Sequence, residues 1–518
     1  MSRVLLVSTY ELGSRPLGCA VPAAMLGEAG HEVRSVDLAL GPLDDATLWW
    51  AEVLAISVPM HTAARLGLDL LRRVRAQRSD LPICLHGLYA LAAADAAGDL
   101  LGPRDLAAAG DAGPALLAFC DEAGKGASAS TRLRRRVELG PAQGATRPAM
   151  DTTGLPGLER YARLVQGAHE TLVATVETTT GCNHRCRHCP VPVIYRGRSR
   201  PVPLEVVAEE VGNQLDEGAR HVHLADADFL NRPAHALGFA RWLAGRHPGV
   251  TFDATVKISH LLRHGDLLGE LKACGLLFVT SAIESTSDVV LERLDKGHRR
   301  ADAAAAVRQC RRQGIELRPS FLPFTPWTTR RDLIDLLDFV AEEDLVWSTD
   351  AVQYAIRLLL PPGSLLLKDP DLVLSAALGD AESDGLGTSW RSPDPVLDDC
   401  QREVATLVES LALTSATPAD AYEQVRALIH AVLHERDAGA PTPALARVGG
   451  PGPRLSEAWF CCAEPTSAQL ATLAGACAAS PEQAAAPQNG NLQPSRPPPP
   501  TGTTSSGGSS REAPTKRG

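Results

Sequence analysis

Short apolar runs alternate with helical patterns over residues 1–125 of this 518-residue chain. The runs have the length of buried strands, and the stretches between them repeat apolar residues at helical spacing. The predicted elements follow the order "RVLLVST", "AVPAAMLGEAG", "EVRSVDL", "VLAISVP", "AARLGLDLLRRVRAQ" and "PICLHG". Such a βα alternation predicts a parallel sheet with helices on both faces, which is a Rossmann-like domain.

The alternation starts again at residue 171 and continues to residue 365. Six strands are predicted there, each separated from the next by a helical pattern: "TLVATVET", "HVHLADA", "FDATVKI", "LFVTSAIE", "IELRPSFLPF" and "AVQYAIRLLL". Six βα repeats predict a partial (β/α)6 barrel of the TIM type, whose reactive loops lie at the carboxyl ends of the strands. Residues 126–170 contain several Gly and Pro and are predicted to form a connector.

The remainder of the chain changes in composition. Residues 366–450 carry helical patterns and are predicted as a helical extension, and residues 451–477 contain a cysteine motif treated below. Residues 478–518 are too poor in apolar side chains to offset the entropy cost of ordering, so a disordered tail is predicted. The predicted fold class is therefore α/β: a Rossmann-like domain, a partial barrel, a helical extension and a disordered tail.

Charge and hydropathy limit the partners of the protein. The formal net charge is -10 and the pI is about 5.9, so the chain has no overall positive field for nucleic acid, and a nucleic-acid partner is disfavoured. No stretch approaches the 18 apolar residues of a membrane span, and the first residues fit a strand better than a signal peptide. We therefore expect a cytoplasmic protein with no membrane partner.

The stretch "GCNHRCRHCP" brings Cys182, Cys186 and Cys189 together directly after a predicted strand. Structural zinc sites use four ligands, usually in two cysteine pairs, and no second pair follows at a suitable distance. A 4Fe–4S cluster takes one thiolate per iron, so three cysteines leave one iron open to a small molecule that carries an amine and a carboxylate. The alternative is three buried or zinc-bound cysteines without catalysis.

This spacing resembles that of the radical S-adenosylmethionine (AdoMet) superfamily. The resemblance covers about residues 171–365 and includes "VHLADADF" and "SAIESTSDVVLERLDKGHRR". It implies that the open iron binds AdoMet and that an electron from the reduced cluster cleaves it to a 5'-deoxyadenosyl radical. It also implies a reducing partner such as a flavodoxin or ferredoxin.

The same resemblance implies binding residues for AdoMet. His188 occupies the place where the superfamily usually has a planar residue near the adenine. Glu284, in "AIES", falls at a strand end where a polar contact to AdoMet is common, and Asp226 and Asp228 fall on the preceding side of the barrel mouth. For each carboxylate the alternative is a helix cap or an ion pair.

The first 125 residues resemble the cobalamin-binding domain that precedes many radical AdoMet barrels. The Asp-x-His-x-x-Gly motif, through which a histidine ligates cobalt in other cobalamin proteins, is absent. Cobalamin binding therefore competes with a degenerate Rossmann-like domain that shapes the substrate pocket. We interpret His61 and His86 as ordinary loop histidines.

The stretch "FCCAEP" places Cys461 beside Cys462. A disulfide between neighbouring residues is strained and easily reduced, which suits redox chemistry, whereas the alternative is two small apolar fillers. The stretch resembles the tail of a radical AdoMet family that ends in Cys-Sec-Ala-Glu-Pro or Cys-Cys-Ala-Glu-Pro. Because Cys462 stands where the selenoproteins have selenocysteine, the resemblance implies a redox thiol, a metal ligand or a nucleophile there.

Together these features predict a radical AdoMet enzyme, an oxidoreductase or a transferase, that acts on an unknown small-molecule or peptide substrate. A cobalamin-dependent methyltransferase is the first variant. A methylthiotransferase acting on tRNA is disfavoured, because the chain is acidic and no basic RNA-binding domain follows the barrel. A non-catalytic iron-sulfur redox protein is the alternative from a different class.

Overall fold

The computed structural model describes residues 1–123, 134–138, 147–370, 372, 377–381, 385–414, 416–433 and 451–457. All of them belong to one compact unit, Met1–Ala479. The cysteines Cys461 and Cys462 and the tail 478–518 lie outside the described residues. Within the described part of the chain, no helix is both long and apolar enough to cross a membrane.

The first sheet has six parallel strands in the order β2-β1-β3-β4-β5-β6. Its strands are β1 (Arg3–Ser8), β2 (Glu32–Asp37), β3 (Val53–Ser57), β4 (Ile83–His86), β5 (Leu106–Gly110) and β6 (Arg134–Glu138). Its helices are α1 (Leu17–Glu28), α2 (Asp45–Trp50), α3 (His61–Gln77), α4 (Ala90–Ala97) and α5 (Gly113–Ala123). The central strands are buried throughout, as a parallel sheet with two covered faces requires. Strand β6 lies in the segment predicted as a connector.

The strand order of this sheet reverses between β1 and β3, which opens a crevice at their carboxyl ends. The Glu11 carboxylate lies in that region and accepts hydrogen bonds from the backbone N–H of Gly18, at 3.2 Å, and from the Ser57 hydroxyl, at 3.3 Å. Gly18 lies in the first turn of α1, where nucleotide-binding domains of this topology bind a phosphate. In this protein a carboxyl group of the chain itself takes that position.

The second sheet has seven strands in the order β14-β13-β12-β11-β8-β7-β17. Five neighbouring strands are parallel and form the curled half-barrel: β8 (His169–Val176), β11 (His221–Leu224), β12 (Thr251–Thr255), β13 (Leu276–Glu284) and β14 (Glu316–Phe321). Two antiparallel pairings add β7 (Arg163–Gln166) and β17 (Arg454–Leu455) at one edge. A separate hairpin joins β9 (Thr179–Gly181) and β10 (Ser199–Pro201).

Helices follow the strands of this half-barrel as the sequence pattern predicts. They are α6 (Val191–Tyr195), α7 (Leu204–Asp216), α8 (Pro233–Arg246), α9 (Ile258–Arg263), α10 (Leu268–Ala273), α11 (Asp288–Arg293), α12 (Arg300–Arg312) and α13 (Arg330–Glu342). The predicted α/β fold class, with a Rossmann-like domain followed by a partial barrel, is confirmed.

The sixth predicted barrel strand, "AVQYAIRLLL", is not a strand in the structure. Ala351–Tyr354 forms a short 3-10 helix. The rest of the segment pairs with the residues just after β14 through one isolated bridge, between Phe324 and Arg357. The side-chain oxygen of Gln353 accepts the backbone N–H of Phe321 at 3.0 Å. The Gln353 side chain therefore occupies the backbone N–H of Phe321, which would otherwise donate to a carbonyl of a sixth strand.

The predicted helical extension contains a hairpin and two long helices. The hairpin joins β15 (Ala377–Ala381) and β16 (Thr388–Arg391), and the helices are α14 (Pro395–Ala412) and α15 (Pro418–Leu433). Val404 and Val425 of these helices are buried in the same hydrophobic core as the barrel strands. The two helices thus cover the barrel, whereas Trp390 of the hairpin is buried in the core of the first domain.

Candidate active site

The three cysteines lie on one loop, residues 182–189, which we call the cysteine loop. It begins immediately after β9, at the carboxyl end of β8. Gly181, the residue before it, has φ +79°, and a Cβ built there would lie 2.5 Å from the carbonyl oxygen of Arg198. A side chain at this position is excluded by that contact. Cys186 is buried and Cys182 and Cys189 are half-buried.

Two lysines place positive charge on the Cys186 side of the loop. Lys257, just after β12, donates a hydrogen bond from Nζ to Sγ of Cys186 at 3.4 Å. Lys296 is 4 % exposed. Burial alone would lower the pKa of Lys296, but the negative charges of Glu284 and Cys186 outweigh burial and hold its pKa above the usual value. Both ammonium groups therefore place positive charge near the sulfur of Cys186.

Glu284 joins the cysteine loop to Lys296. Its Oε1 accepts hydrogen bonds from Nε2 of His188 and from Nζ of Lys296, both at 3.1 Å. Burial acts to raise the pKa of Glu284, but Lys296 and His188 together lower it to about 2, so the carboxylate is ionised. Glu284 has φ +67°, which is rare for a residue with a side chain, and it lies at a register shift between β13 and β14.

Asp228 connects the other side of the loop to the barrel. Its Oδ1 accepts the backbone N–H of Leu230 at 3.1 Å, and its Oδ2 lies 3.0 Å from Nε2 of His184 and 2.8 Å from Nδ1 of His260. Burial acts to raise the pKa of Asp228, but the two histidines outweigh burial and lower it. The three side chains form a compact group whose ligand atoms lie within 4.8 Å of one another.

Asp226 makes its contacts within the end of the barrel. Its carboxylate accepts hydrogen bonds from the backbone N–H of Thr178 at 2.8 Å and from the hydroxyls of Thr178 and Thr179 at 2.7 and 2.5 Å. These bonds fix the start of the β9–β10 hairpin. The carboxylate thus has partners within the protein, and its predicted contact with AdoMet stays a prediction.

A shallow recess lies beside the cysteine loop. The residues that line it come from the first domain, the loop and the segment after the barrel: Tyr89, His188, Pro190, Leu358, Leu359 and Pro361. Nδ1 of His188 is buried there without a hydrogen-bond partner, while Nε2 is held by Glu284. A ring fixed on one side and unpaired on the other can accept or donate a hydrogen bond to a bound molecule.

The sequence model of the Radical SAM superfamily matches residues 176–340, from the last residue of β8 into α13. This part of the chain is a radical SAM domain. The match contains the cysteine loop, Glu284 and Lys296. The predictions of an enzyme, and of a 4Fe–4S cluster and AdoMet as its cofactors, are confirmed at the level of the superfamily.

Curated relatives match part of the chain at low identity. The tRNA-2-methylthio-N(6)-dimethylallyladenosine synthase of Histophilus somni (strain 129Pt) is 24 % identical over 234 residues, 43 % of this chain and 48 % of the relative. The synthase of the same name from Serratia proteamaculans (strain 568) is 25 % identical over 215 residues, 39 % and 45 % of the two chains. The chain spans about half the length of the curated relatives it matches.

Solved structures share the fold over most of the chain. The cobalamin-dependent AdoMet radical enzyme OxsB, with aqua-cobalamin and AdoMet bound, superposes with a TM-score of 0.63 at 15 % identity, over 84 % of this chain and 72 % of that one. The radical AdoMet methyltransferase TsrM from Kitasatospora setae gives 0.53 at 18 % identity, over 85 % and 90 %. Both matches extend beyond the barrel into the first domain.

The residues present fit a 4Fe–4S cluster held by three cysteines. Cys182, Cys186 and Cys189 share one loop, a lysine contacts the buried thiol, and none of the three is paired in a disulfide. Burial raises the pKa of Cys182 to about 12, so iron binding must displace a proton from this thiol. Lys257, Lys296 and His260 belong to the site but are not singled out by the sequence pattern.

Proposed function

We propose that the protein cleaves AdoMet reductively and uses the 5'-deoxyadenosyl radical to take a hydrogen atom from a small-molecule or peptide substrate. The observation that carries this proposal is the three-cysteine loop at the carboxyl ends of the barrel strands, with Lys257 donating a hydrogen bond to Sγ of Cys186. The cluster would supply one electron, which divides AdoMet into methionine and the radical. A flavodoxin or ferredoxin would supply that electron to the protein.

The residues around the loop support this reaction by orientation. The ionised Glu284 fixes the ring of His188, and Lys296 fixes Glu284, so the unpaired Nδ1 of His188 has a defined position in the recess. We infer that the adenine of AdoMet lies against this ring. Glu284 keeps a second oxygen, which can accept a hydrogen bond from the AdoMet amine or ribose.

We also propose that Cys461 and Cys462 act at the same site as a redox pair or nucleophile, as in the tail-defined family the chain resembles. The support is the anchoring of the residues just before them. Strand β17 runs parallel to β8, and the Glu457 carboxylate accepts a hydrogen bond of 2.8 Å from the Tyr10 hydroxyl, just after β1. Cys461 is four positions after Glu457, and this length of chain spans at most about 14 Å.

A second candidate is a cobalamin-dependent methyltransferase. Three buried polar atoms without a hydrogen-bond partner, Ser8 Oγ, Thr62 Oγ1 and His86 Nε2, lie at or just after the carboxyl ends of β1, β3 and β4. This is the edge where α/β sheets bind ligands, and OxsB and TsrM, whose structures contain cobalamin, share the fold. The tRNA reaction of the curated relatives fits less well with a net charge of -10.

Anaerobic reconstitution with iron and sulfide tests the first proposal. With dithionite and AdoMet present, we expect 5'-deoxyadenosine to form and to depend on dithionite. A fully loaded cluster that yields no 5'-deoxyadenosine would instead indicate a non-catalytic iron-sulfur protein. Binding of hydroxocobalamin, followed by its visible absorbance after gel filtration, separates the methyltransferase candidate from the rest.

The role of the tail is tested by Cys462→Ser, with Cys274→Ser as the matched control at a half-buried cysteine outside the site. We expect Cys462→Ser to form 5'-deoxyadenosine as the parent protein does but to lose turnover of the identified substrate at least tenfold. Equal turnover in both variants would remove the tail from the mechanism.

A further inference from the structure

We propose that His184, Asp228 and His260 bind a divalent transition-metal ion, of the Zn²⁺ or Fe²⁺ class, at a mononuclear site beside the cysteine loop. The site uses none of the three cysteines. Its ligands come from the loop itself, from the turn after β11 and from α9. The inference is independent of the proposed reaction, because it concerns only what these three side chains hold.

Two of the three distances between the ligand atoms suit a shared ion. Bonds from nitrogen or carboxylate oxygen to zinc are about 2.0–2.2 Å. Two ligand atoms on one ion at that distance lie about 3.0 Å apart when their bonds meet at a right angle and about 3.4 Å apart at the tetrahedral angle. Oδ2 of Asp228 lies 3.0 Å from Nε2 of His184 and 2.8 Å from Nδ1 of His260. These separations are those of neighbouring ligands.

A hydrogen-bond network alone leaves one atom unexplained. His184 forms an aligned hydrogen bond to Asp228, but Nδ1 of His260 does not, although it is buried and only 2.8 Å from the carboxylate oxygen. A cation between the three groups would satisfy this nitrogen and the carboxylate together.

The donor set also has the composition of a known class of site. Two histidines and one carboxylate on one side of an ion, with positions left open, hold Fe²⁺ and related metals in proteins. Asp228 and His260 are 1 % and 6 % exposed, whereas the His184 side chain is 20 % exposed. Solvent therefore reaches the group on the side of His184. Water can complete the coordination from that side.

Such an ion would hold the cysteine loop by a second route. His184 lies between Cys182 and Cys186 in the sequence, and its ring packs against that of His260 with 4.5 Å between the ring centres. A bond from the ion to each ring would join the loop to α9 and to the end of β11. The loop would keep its place when the cluster is not loaded.

The experiment uses the full chain with its cluster reconstituted, treated with one equivalent of Zn²⁺ and then dialysed anaerobically. We expect about one zinc retained per chain by elemental analysis, and a zinc X-ray absorption spectrum with nitrogen and oxygen ligands, including imidazole. His260→Gln and Asp228→Asn should each weaken zinc binding at least tenfold while the sulfide content stays unchanged.

The matched control is His264→Gln. His264 packs against His260, with 5.6 Å between the ring centres, but is not one of the three ligands, so this variant should retain zinc. Zinc retention equal in the parent protein and in His260→Gln, with both folded by circular dichroism, would overturn the proposal. A zinc spectrum with sulfur ligands would also overturn it, because the ion would then occupy the cysteine loop.

Discussion

Replacing Glu284 with alanine should lower the free energy of unfolding by about 3–5 kcal/mol, because it leaves the Lys296 ammonium buried without its carboxylate. The loss should appear as a lower midpoint in urea denaturation. His188 would also lose the hydrogen bond that fixes its ring, so AdoMet binding should weaken at the same time. Both effects have one origin, because Oε1 of Glu284 accepts hydrogen bonds from His188 and from Lys296.

The double variant Glu284→Gln with Lys296→Met separates the charge effect from other causes. It removes both charges and keeps similar volumes, so we expect it to recover most of the stability that Glu284→Ala loses. Glu284→Gly should be less harmful than Glu284→Ala, because glycine adopts φ +67° without strain. If the double variant were as unstable as Glu284→Ala, the ion pair would not be the cause.

Replacing Cys186 with alanine should remove the cluster, so that bound iron and sulfide fall to near zero after reconstitution and no 5'-deoxyadenosine forms. Lys257→Met should instead retain the cluster, because it removes only a donor to the Cys186 sulfur. Loss of that positive charge and hydrogen bond should make the midpoint potential more negative, since both stabilise the reduced, more anionic cluster. A redox titration followed by electron paramagnetic resonance measures the shift.

Two further variants are the matched controls for Cys186→Ala and Lys257→Met. Cys310→Ala removes a buried cysteine of α12 and should retain full iron, while Lys272→Met removes a lysine of α10 that does not contact the loop. The midpoint potential of Lys272→Met should equal that of the parent protein. A Lys257→Met potential within error of the Lys272→Met value would contradict the role given to Lys257.

The sequence predicts the chemistry of the cysteine loop because its three cysteines lie close together in the chain and follow a recognisable strand. It does not predict the side chains that surround the loop. Lys257 and His260 follow β12, whereas Lys296 follows β13 and the cysteine loop follows β8, and only the curvature of the sheet brings these strand ends to one place. A single lysine in a loop carries no local pattern that separates it from an exposed lysine.

The errors at the level of elements also have physical causes. The alternation in "AVQYAIRLLL" is that of a strand, but Gln353 forms its hydrogen bond to β14 through the side chain, so the ladder does not extend. Strands β6 and β7 lie in the predicted connector, because strands at or next to the edge of a sheet are short and need little apolar pattern. β6 even contains three consecutive arginines, Arg134–Arg136.

The pairing of β17 with β7 has a consequence for synthesis on the ribosome. Ser456 accepts the backbone N–H of Arg163, and 293 positions of chain separate the two residues. At a synthesis rate of about 5–20 residues per second, β17 is made roughly 15–60 seconds after β7, whose outer edge is unpaired until then. During that interval the edge is open to strands of other chains. A truncated product that ends before β17 keeps this edge exposed, so aggregation of nascent or shortened chains is expected to begin there.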